Sequence, residues 1–428
     1  MKELQYDSVV IGGGAAGMAA ALELEGRGFS CAIIEREGHL GGILMQCIHN
    51  GFGLHEFSEE LTGPEFAGRF IERVIKSKIA VYTNTTVTQI TPNDGMLSRR
   101  AGDTAAYREL LCVSPDGLMR IQCRAVVLAM GCRERNRGNV RIPGARPAGV
   151  YTAGLAQRLV NIEGYIPGKE IVIIGSGDIG LIMARRMSWV GCTVKAVVEI
   201  MPYPAGLTRN IVQCLRDFNI PLYLSSHTTS IFGNDRVEGV EVTPMENGVL
   251  IPEKRFRIDC DTVLLSVGLV PENELSKAAG VELNSATGGP LADSNLMTTV
   301  DGIFACGNVL HVHDLVDWVA EESRRAGRYA AEWLRGDRPV MQIRAKAGSN
   351  VRYVNPARIN PRRDNTIYLR SLVVKNDAAL EIRLDNRVIR SIKQRHVQPS
   401  EMISLNVGPN DFPLSGAGMD SVLEFSIT

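Results

Sequence analysis

The sequence predicts an α/β fold with two Rossmann-like strand–turn–helix motifs and a smaller β-rich region at its C-terminal end. An apolar run at residues 9–11 leads into the turn GGGAAG at residues 12–17, here called the first glycine turn. The pattern recurs at residues 172–174 and in the turn GSGDIG at residues 175–180, the second glycine turn. Beyond about residue 340, apolar and polar residues alternate, which is typical of β-strands.

Both turns have the spacing G-x-G-x-x-G, and each glycine in it has its own physical task. The first permits a tight turn, the second lets backbone N–H groups approach a pyrophosphate, and the third lets the helix pack closely on the strand. The helix that follows directs the positive end of its dipole at the phosphates. One such motif is weak evidence, but two complete copies indicate two bound dinucleotides.

An acidic residue ends the next apolar run after each glycine turn. Glu35 follows residues 31–34 (CAII), and Glu199 follows residues 194–198 (VKAVV). A carboxylate at this position accepts hydrogen bonds from ribose hydroxyls. Glu199 favours NADH over NADPH, because its charge would repel a 2′-phosphate and no arginine follows at once.

The composition excludes several classes of protein. The chain has 428 residues, is 45% apolar and has zero formal net charge, so nothing indicates nucleic-acid binding. It contains no run of about 20 apolar residues that would span a membrane, and the apolar segment 8–24 lacks the features of a signal peptide. The nine cysteines form no C-x-x-C pair, which favours buried thiols in a reducing compartment. We therefore expect a cytoplasmic protein.

The other elements follow from local patterns. Thr62, Pro64 and Glu65 form a helix start, and apolar periodicity continues this helix to Lys78. Further predicted elements are a strand or hairpin edge at 79–90, strands at 107–113 and 119–123 around the turn 114–117, a buried strand at 125–129, a short helix at 152–161, a hairpin at 239–258, strands at 262–267 and 303–308, and a long helix from about Asp314 to Leu334.

Residues 340–428 are predicted to form a small β-rich accessory domain, with an extended tail as the alternative. Alternating patterns predict strands at 368–375, 379–384 and 388–392. The pairs Asn376-Asp377 and Asp385-Asn386 are predicted to be the turns between them.

Several of these segments together resemble the two-dinucleotide-binding flavoproteins of the pyridine nucleotide–disulfide oxidoreductase family. They are the first glycine turn with Glu35, the doublet Gly41-Gly42, residues 129–131 (AMG), the second glycine turn and the return strand 304–308 (FACGN). In that family an FAD-binding Rossmann domain is interrupted by an inserted NAD(P)H domain and completed by the return strand. The resemblance implies an FAD-binding domain at 1–145 and 286–336, an NAD(H)-binding domain at 146–285 and the β-rich domain at 340–428.

The resemblance also implies the cofactor-binding residues. FAD is expected on Gly12, Gly14, Gly17 and Glu35, and a nicotinamide nucleotide on Gly175, Gly177, Gly180 and Glu199. The full predicted set adds Ala15, Ala16, Arg36, Gly41, Gly42, Gln46, Cys47, Val87, Ala129, Gly131, Asp178, Ile179, Gly268, Gly307, Asn308, Asp314 and Leu315.

The chain departs from the family pattern at three points. The family's disulfide reductases carry C-x₄-C shortly after the glycine doublet, whereas Cys47 stands alone here, so dithiol chemistry is not expected. The return strand ends Gly307-Asn308 instead of Gly-Asp, and an asparagine can still form one hydrogen bond to the ribityl chain. The tail's only histidine, His396, lies in a basic run, so the family's C-terminal catalytic histidine is not transferred to it.

Residues 41–53 (GGILMQCIHNGFG) and 306–317 (CGNVLHVHDLVD) resemble a narrower group of bacterial flavoproteins. Its members are often encoded beside a type II FAD-dependent glycerol-3-phosphate dehydrogenase. Related sequences include the FAD subunits of opine oxidase, hydrogen cyanide synthase and dye-linked proline dehydrogenase. The resemblance implies an NADH-linked electron-transfer flavoprotein, and the expected partner is a dehydrogenase subunit.

The segment after the glycine doublet is expected beside the flavin ring, which makes Gln46, Cys47, His49 and Asn50 candidates for contact with it. Cys47 and His49 are the predicted catalytic residues. Cys47 is a redox nucleophile, a thiol that faces the flavin, or a residue that only fills space in the packing. His49 either supplies a proton near neutral pH or is held by the backbone of its loop.

The long helix after the return strand is expected to point its N-terminus at the flavin N1 and C2 carbonyl, which stabilises reduced flavin. His311, His313 and Asp314 precede it. The H-x-H spacing also suggests a metal, but the sequence reveals no third ligand, so no metal is predicted.

Two charged segments lie near these motifs. Asp317 and Glu321, with Trp318 between them, are expected to face helix packing and solvent. The segment 133–137 (RERNR) either approaches cofactor phosphates or forms a solvated loop, and the second is favoured.

The sequence thus predicts an FAD-dependent NAD(P)H oxidoreductase that transfers hydride between nicotinamide and flavin N5. Electrons then pass to or from an acceptor or a partner flavoprotein. The alternatives are an NADH oxidase that reduces oxygen, a non-catalytic nucleotide-binding subunit, and direct oxidation of a small substrate by the flavin. The acceptor, the partner and a homo- or hetero-oligomeric state remain open.

Overall fold

A computed structural model describes residues 1–92, 107–338, 341–412, 417–418 and 420–428. The chain divides into two compact units. The first unit consists of Met1–Cys132 and Pro271–Thr428, and the inserted unit is Arg133–Val270. The boundaries of the nucleotide-binding domains given above stay predictions, and the one at residue 340 lies outside the described residues.

The N-terminal segment of the first unit alternates strands with two helices. Its elements are β1 (Lys2–Ile11), α1 (Ala15–Gly26), β2 (Cys31–Ile34), β3 (Asn50–Phe52), β4 (Leu61–Thr62), α2 (Gly63–Lys76), β5 (Ala80–Tyr82), β6 (Thr86–Pro92), β7 (Arg108–Ser114) and β8 (Gly117–Leu128). The main sheet has the order β5-β2-β1-β8-β7-β6. β1 pairs in parallel with both β2 and β8, so α1 and Glu35 lie at the carboxyl end of the central strands.

β8 is a single strand of 12 residues, whereas the sequence predicts two strands at 119–123 and 125–129. Its first half pairs antiparallel with β7 across the predicted turn at 114–117. Its second half enters the core, where Ala125 and Val126 are fully buried. Arg124 does not interrupt the strand because β8 pairs with β1 along both halves.

α2 begins at the predicted signal. Thr62 N donates to Glu65 Oε2 at 2.8 Å, and Thr62 Oγ1 accepts from Glu65 N at 3.5 Å, which forms a capping box. The helix ends at Lys76, two residues before the predicted Lys78, and Ser77 is its C-cap.

The inserted unit contains a parallel sheet and an antiparallel one. From the crossing at Cys132 to the return at Pro271, the elements are β9 (Cys132–Glu134), α3 (Arg137–Val140), β10 (Val150–Thr152), α4 (Ala153–Asn161), β11 (Glu170–Ile174), α5 (Asp178–Trp189), β12 (Thr193–Val198), α6 (Thr208–Cys214), β13 (Leu222–Tyr223), β14 (Ser226–Gly233), β15 (Val237–Glu246), β16 (Val249–Leu250), β17 (Phe256–Asp259), β18 (Thr262–Leu265) and β19 (Leu269–Pro271). The parallel sheet has the order β10-β18-β11-β12-β13. The predicted hairpin at 239–258 is the antiparallel pair β15–β17.

The returning chain completes the first sheet. It forms α7 (Glu274–Ala278), β20 (Ile303–Ala305) and α8 (Val316–Arg335). β20 pairs in parallel with β8, with Ile303 opposite Val126 and Ala305 opposite Leu128. The fold is therefore the predicted one, with two Rossmann-type domains and the second inserted into the first.

The C-terminal region is a β-domain with its own apolar core. Its strands are β21 (Ile343–Ala347), β22 (Val351–Asn355), β23 (Arg358–Ile359), β24 (Asn365–Ser371), β25 (Lys375–Leu384), β26 (Arg387–Val397), β27 (Met402–Val407) and β28 (Val422–Ile427). The turn at Asp385-Asn386 is confirmed, with φ angles of 48° and 70°. The turn predicted at Asn376-Asp377 is wrong, because both residues lie inside β25. β25 begins at Lys375 because the chain turns earlier, after Ser371.

No helix in the described parts of the chain combines the length and the apolar character that a membrane crossing needs.

Candidate functional site

The glycines of the first glycine turn divide their tasks as the spacing predicts. Gly12 has φ of +107°, and a Cβ there would lie 2.4 Å from the Ala129 carbonyl oxygen. A Cβ on Gly17 would lie 1.8 Å from the Gly12 oxygen. A Cβ on Gly14, in contrast, would meet no protein atom within 4 Å. The turn is thus closed at its first and third glycines and open at the second, where a pyrophosphate needs room.

The N-terminus of α1 has unsatisfied N–H groups for an anion. Its N-cap is Gly14, and among the described residues no side chain caps it. The first turn, which includes Ala15 and Ala16, carries no acid. These backbone donors and the helix dipole favour a phosphate group.

Glu35 lies at the end of β2, where its carboxylate is fixed beside the turn. Glu35 Oε2 accepts from Gly13 N at 2.6 Å, and Oε1 accepts from Glu37 N at 2.8 Å. The side chain is buried. A carboxylate that is oriented by backbone donors costs no reorganisation when it accepts a ribose hydroxyl.

The second glycine turn has the same construction around a partner that the sequence analysis missed. Gly175 has φ of +90°, and a Cβ there would lie 2.2 Å from the Ser266 oxygen. A Cβ on Gly180 would lie 2.6 Å from Ser266 Cβ, and Gly180 N donates to Ser266 Oγ at 3.0 Å. Ser266 directly follows β18, the strand next to β11, and the end of the apolar run at 262–267 was its only signal.

Glu199 is held more tightly than Glu35. Its Oε2 accepts from Ser176 N at 2.8 Å and from Ser176 Oγ at 2.6 Å, and its Oε1 accepts from Met201 N at 2.9 Å. Glu199 is buried. The second residue of the glycine turn therefore fixes the acid through both its backbone and its side chain.

Asp178 stands in the first turn of α5, but its carboxylate is engaged elsewhere. Asp178 Oδ1 accepts from Leu207 N at 2.8 Å and from Asn210 Nδ2 at 2.7 Å, which fixes the start of α6. Ile179, the next predicted position, is half-buried in α5.

The glycine doublet brings the segment 41–50 against the first glycine turn. Gly41 has φ of +107° and donates to the Gly13 oxygen at 2.9 Å. A Cβ on Gly42 would lie 3.2 Å from Gly14 Cα. A 3₁₀ turn at Gly42–Gln46 follows, with Gln46 buried.

Cys47 is a protonated thiol in a packed position. Its Sγ donates to the Ile43 oxygen at 3.3 Å, and its carbonyl accepts from Gly63 N at 2.8 Å. Burial raises the pKa of the Cys47 thiol to about 12. A redox role of its thiolate stays a prediction, and this pKa weighs against it.

His49 and the loop after it are organised by the first turn of α8. The His49 ring lies 5.1 Å from the Phe52 ring. Asp317 accepts from the N–H groups of Gly53, His55 and Glu56 at 3.2, 3.0 and 2.9 Å. Asp317 is thus buried under this loop and does not face solvent as predicted, because three backbone donors take the place of water.

Two further contacts fasten the same loop to α8. The His55 ring stacks on the Trp318 ring with centroids 4.8 Å apart. Arg324 donates to both carboxylate oxygens of Glu56 at 2.7 Å. Trp318 was expected to face helix packing and solvent, and its ring packs on this loop as well.

The return strand ends close to the first glycine turn. Gly307 has φ of +69°, and a Cβ there would lie 2.9 Å from Ala16 Cβ. Asn308 Oδ1 accepts from His313 N at 3.0 Å, and its Nδ2 contacts Cys132 Sγ at 3.7 Å. Asn308 therefore shapes the turn that leads to His313.

His311, His313 and Glu322 form a buried cluster that the sequence analysis did not assemble. His311 Nε2 lies 2.9 Å from Glu322 Oε2, and His313 Nε2 lies 3.2 Å from Glu322 Oε1. Glu322 Oε1 also accepts from Gly307 N at 2.7 Å. The third ligand-type residue that the H-x-H spacing lacked is Glu322 on α8, and only the fold brings it close.

Burial and charge act together on this cluster. Burial, followed by the electrostatic interaction with the neighbouring His313 ring, lowers the pKa of His311 to about 4. Burial alone would raise the pKa of Glu322, but the two imidazoles outweigh it and hold this pKa well below its usual range. Glu322 is consequently a carboxylate at neutral pH although it is fully buried.

Asp314 faces the C-terminal β-domain and not the glycine turn. Its carboxylate accepts from Arg370 on β24 and, at 2.7 Å, from Met402 N. Arg370 also donates to the Val312 oxygen at 3.1 Å. Only the backbone of Asp314 is left for a cofactor, and Leu315 is the N-cap of α8.

Other predicted residues occupy the edges of the two turns. Arg36 is exposed and lies 3.9 Å from Glu272, and Val87 lies in β6. The remaining positions are glycines with positive φ, at 72° for Gly131, which follows β8, and 98° for Gly268, which follows β18.

The arginine-rich segment 133–137 has a structural task in the inserted unit. Arg137 Nε donates to the Ile142 oxygen and Arg137 Nη2 to the Pro143 and Gly144 oxygens, each at 3.1 Å. These contacts use the guanidinium to hold the loop that follows α3.

Comparisons with known proteins agree with this architecture. The family model for pyridine nucleotide-disulphide oxidoreductases matches residues 6–328. An opine oxidase subunit of Agrobacterium tumefaciens is 27% identical over 327 residues, which cover 71% of this chain and 61% of that protein. Hydrogen cyanide synthase subunit HcnB of Pseudomonas protegens is 26% identical over 313 residues, which cover 68% of this chain and 62% of that protein. The matched regions thus span about three fifths of these curated relatives.

Among solved structures, thioredoxin reductase of T. acidophilum has a TM-score of 0.61 and 23% identity, over 77% of this chain and 98% of that one. This likeness concerns the fold. The family match covers both glycine turns and the return strand, and members of that family use FAD and NAD(P)H. The chain belongs to the pyridine nucleotide-disulphide oxidoreductase family.

Proposed function

We propose that this protein is an FAD-dependent oxidoreductase that exchanges hydride with a nicotinamide nucleotide and prefers NADH to NADPH. The observation that carries the preference is the fixed carboxylate of Glu199, which accepts three hydrogen bonds from Ser176 and Met201. Its position at the end of β12 corresponds to that of Glu35 at the end of β2.

The preference follows from charge and from preorganisation. A ribose 2′-hydroxyl can donate to a carboxylate, whereas a 2′-phosphate would place like charge against a buried anion. The three donors also prevent Glu199 from turning away without losing hydrogen bonds, so the repulsion is hard to relieve.

FAD is assigned to the first glycine turn. The residues fit it, since Gly14 leaves space, α1 offers uncapped N–H groups, and Glu35 is oriented by Gly13 and Glu37. When bound, FAD would supply hydride acceptance at N5 and onward electron transfer. The chain contributes orientation, exclusion of water and placement of charge.

Two parts of the chain are proposed to act near the reacting ring. His49 would hold or deliver a proton, because an imidazole titrates near neutral pH. The N-terminus of α8 would favour negative charge through its dipole, and Asp317 in its first turn holds the loop after His49 by accepting from the N–H groups of Gly53, His55 and Glu56.

A second candidate function is a nucleotide-binding subunit whose chemistry takes place on a partner. The relatives from Agrobacterium tumefaciens and Pseudomonas protegens favour it, since both are subunits of larger enzymes. The final acceptor, including oxygen, and a cytoplasmic location also remain proposals.

The deciding experiment is anaerobic stopped-flow of the purified yellow protein with NADH and, separately, with NADPH. Loss of the flavin's visible absorbance within the time of turnover supports the hydride step, and faster loss with NADH supports the role of Glu199. A flavin that neither nucleotide bleaches would favour the function in which a partner carries the chemistry. If NADH does reduce the flavin, mixing the reduced protein with air-saturated buffer tests oxygen as acceptor.

A further inference from the structure

The cluster of His311, His313 and Glu322 has no role in the proposed hydride transfer. It lies between the return strand, α8 and the C-terminal β-domain, and all three side chains are buried. One ligand atom from each residue lies within 4.8 Å of the others. We propose that this cluster binds a divalent first-row transition-metal ion, with both histidines and Glu322 as ligands.

The distances are those of groups that converge on one ion. Ligands about 2.0–2.1 Å from a tetrahedral metal ion lie about 3.3 Å from one another. The nitrogen–oxygen separations here are 2.9 Å for His311 and 3.2 Å for His313. His313 Nε2 makes no hydrogen bond within the described residues despite its short distance to Glu322. Coordination by this nitrogen would therefore break no hydrogen bond that the described residues make.

The polar atoms of the cluster are incompletely satisfied by protein. The Nδ1 atoms of His311 and His313 also have no hydrogen-bond partner in the described parts of the chain. A buried polar atom without a partner carries a desolvation cost, and the great majority of such atoms in folded proteins are paired. Coordination through the two Nε2 atoms would give a partner to His313 Nε2, the third of these unpaired nitrogens.

The charge balance favours a cation as well. Glu322 is fully buried, and its hydrogen-bond partners among the described residues are Gly307 N and His311 Nε2. Arg325 and Arg370 lie in the same region, but they form ion pairs with Glu321 and Asp314. A dication would compensate Glu322 where the nearby guanidinium groups are already used.

The donor set defines the class of metal. Two imidazoles and one carboxylate suit zinc and non-haem iron, and they are less suited to calcium or magnesium, which prefer oxygen ligands. Tyr368 closes the site from the β-domain, with its ring 5.1 Å from His311 and 5.3 Å from His313. Such an enclosed ion would join α8 to the return strand and stabilise the fold.

The test is the metal content of the full-length protein, measured by mass spectrometry after growth with zinc, iron and manganese and after desalting. We expect one transition-metal ion per chain in the wild type and its loss in Glu322→Gln and His313→Ala. The matched control is Glu321→Gln, the neighbouring acid on α8 that pairs with Arg325, which should keep the metal.

A second measurement uses only the wild-type protein, so that it tests the proposal even if a cluster variant does not fold. Wild-type protein is stripped with a chelator and titrated with Co²⁺, and coordination by nitrogen and oxygen should produce visible absorption and raise the melting temperature. A wild type that contains no metal and gives neither response to Co²⁺ or Zn²⁺ would overturn the proposal. Equal metal content in wild type, Glu322→Gln and His313→Ala would overturn it too, because the metal would then be adventitious. The outcome is independent of NADH oxidation.

Discussion

The Ser176 hydroxyl donates to Glu199 at 2.6 Å and itself accepts from Ala205 N at 2.8 Å. The second residue of the second glycine turn thus connects Glu199 to the loop after β12. The first glycine turn has no such connection, since Gly13 reaches Glu35 through its backbone N–H alone. The two turns share their spacing, but Glu199 accepts three hydrogen bonds and Glu35 accepts two.

Removing the charge of Glu199 should relax the discrimination between the two nicotinamide nucleotides. Glu199→Gln keeps an oxygen acceptor for Ser176 but no longer repels a 2′-phosphate. We expect the NADH-to-NADPH ratio of flavin reduction efficiency to fall by about tenfold, which corresponds to about 1.4 kcal/mol. Anaerobic stopped-flow with both nucleotides measures it. Glu238→Gln, an exposed acid in the same unit, is the control, and an unchanged ratio in Glu199→Gln would contradict the assigned role.

Gly14→Ala should remove flavin without unfolding the protein. The added methyl group meets no protein atom within 4 Å, and the φ of −76° at Gly14 suits alanine. It would occupy the space that a pyrophosphate needs, so we expect flavin per chain to fall by about tenfold or more. Gly26→Ala, at the exposed end of the same helix, adds the same group without contact and should keep its flavin. Equal flavin content in both variants would show that the first glycine turn does not hold FAD.

Gly177→Val should abolish reduction by NADH while the flavin stays bound. Gly177 has φ of −64° and ψ of 159°, which valine adopts readily, and a Cβ would lie 3.2 Å from Ser266 Oγ. Ser266 Oγ would have to move by a few tenths of an ångström, and we expect the side chain to obstruct the pyrophosphate of the nicotinamide nucleotide. Flavin content and stopped-flow reduction are measured on the same sample. Lost flavin, or reduction as fast as in wild type, would contradict the assignment of two separate nucleotide turns.

The sequence predicts those parts of the site whose functional residues lie close together along the chain. The glycine turns and their acids are local patterns, and the geometry at Gly12, Gly17, Gly175 and Gly180 matches the spacing rule. The return strand was predicted as well, through the family resemblance, and β20 pairs in parallel with β8.

The parts that the sequence does not predict depend on contacts between distant elements. Ser266 supports Gly175 and Gly180 from the neighbouring strand, and Glu322 joins the histidines only because α8 runs back past the return strand. Arg370 comes from a strand of the β-domain that has no motif. Spacing along the chain carries no information about such pairs, whose separation is set by packing.

Cys47 should react with alkylating agents as a half-buried thiol of high pKa. Its pKa of about 12 leaves a thiolate fraction of roughly 10⁻⁵ at pH 7, which rises about tenfold per pH unit below the pKa. We expect negligible iodoacetamide labelling of its peptide at pH 7 and increasing labelling towards pH 10, with denatured protein as the control for peptide detection. Cys47→Ser should reduce its flavin with NADH at a rate within about twofold of wild type. Rapid labelling at pH 7 together with lost activity would instead support the redox nucleophile.

Asp317→Asn should loosen the loop that follows His49. The carboxylate accepts from three backbone N–H groups, and an amide in its place offers one oxygen and turns a donor towards the others. Hydrogen bonds to charged groups contribute about 1.5–3 kcal/mol each, so we expect a lower melting temperature and faster hydrogen exchange at Gly53, His55 and Glu56.

Asp337→Asn, an exposed acid beyond the C-terminal end of the same helix, is the matched control and should change neither quantity. Unchanged exchange at residues 53–56 in Asp317→Asn would mean that the contacts of Trp318 and Arg324 suffice to hold the loop. If exchange rises and flavin reduction slows without loss of flavin, then α8 positions the loop that follows His49, and the acid in its first turn acts through that loop.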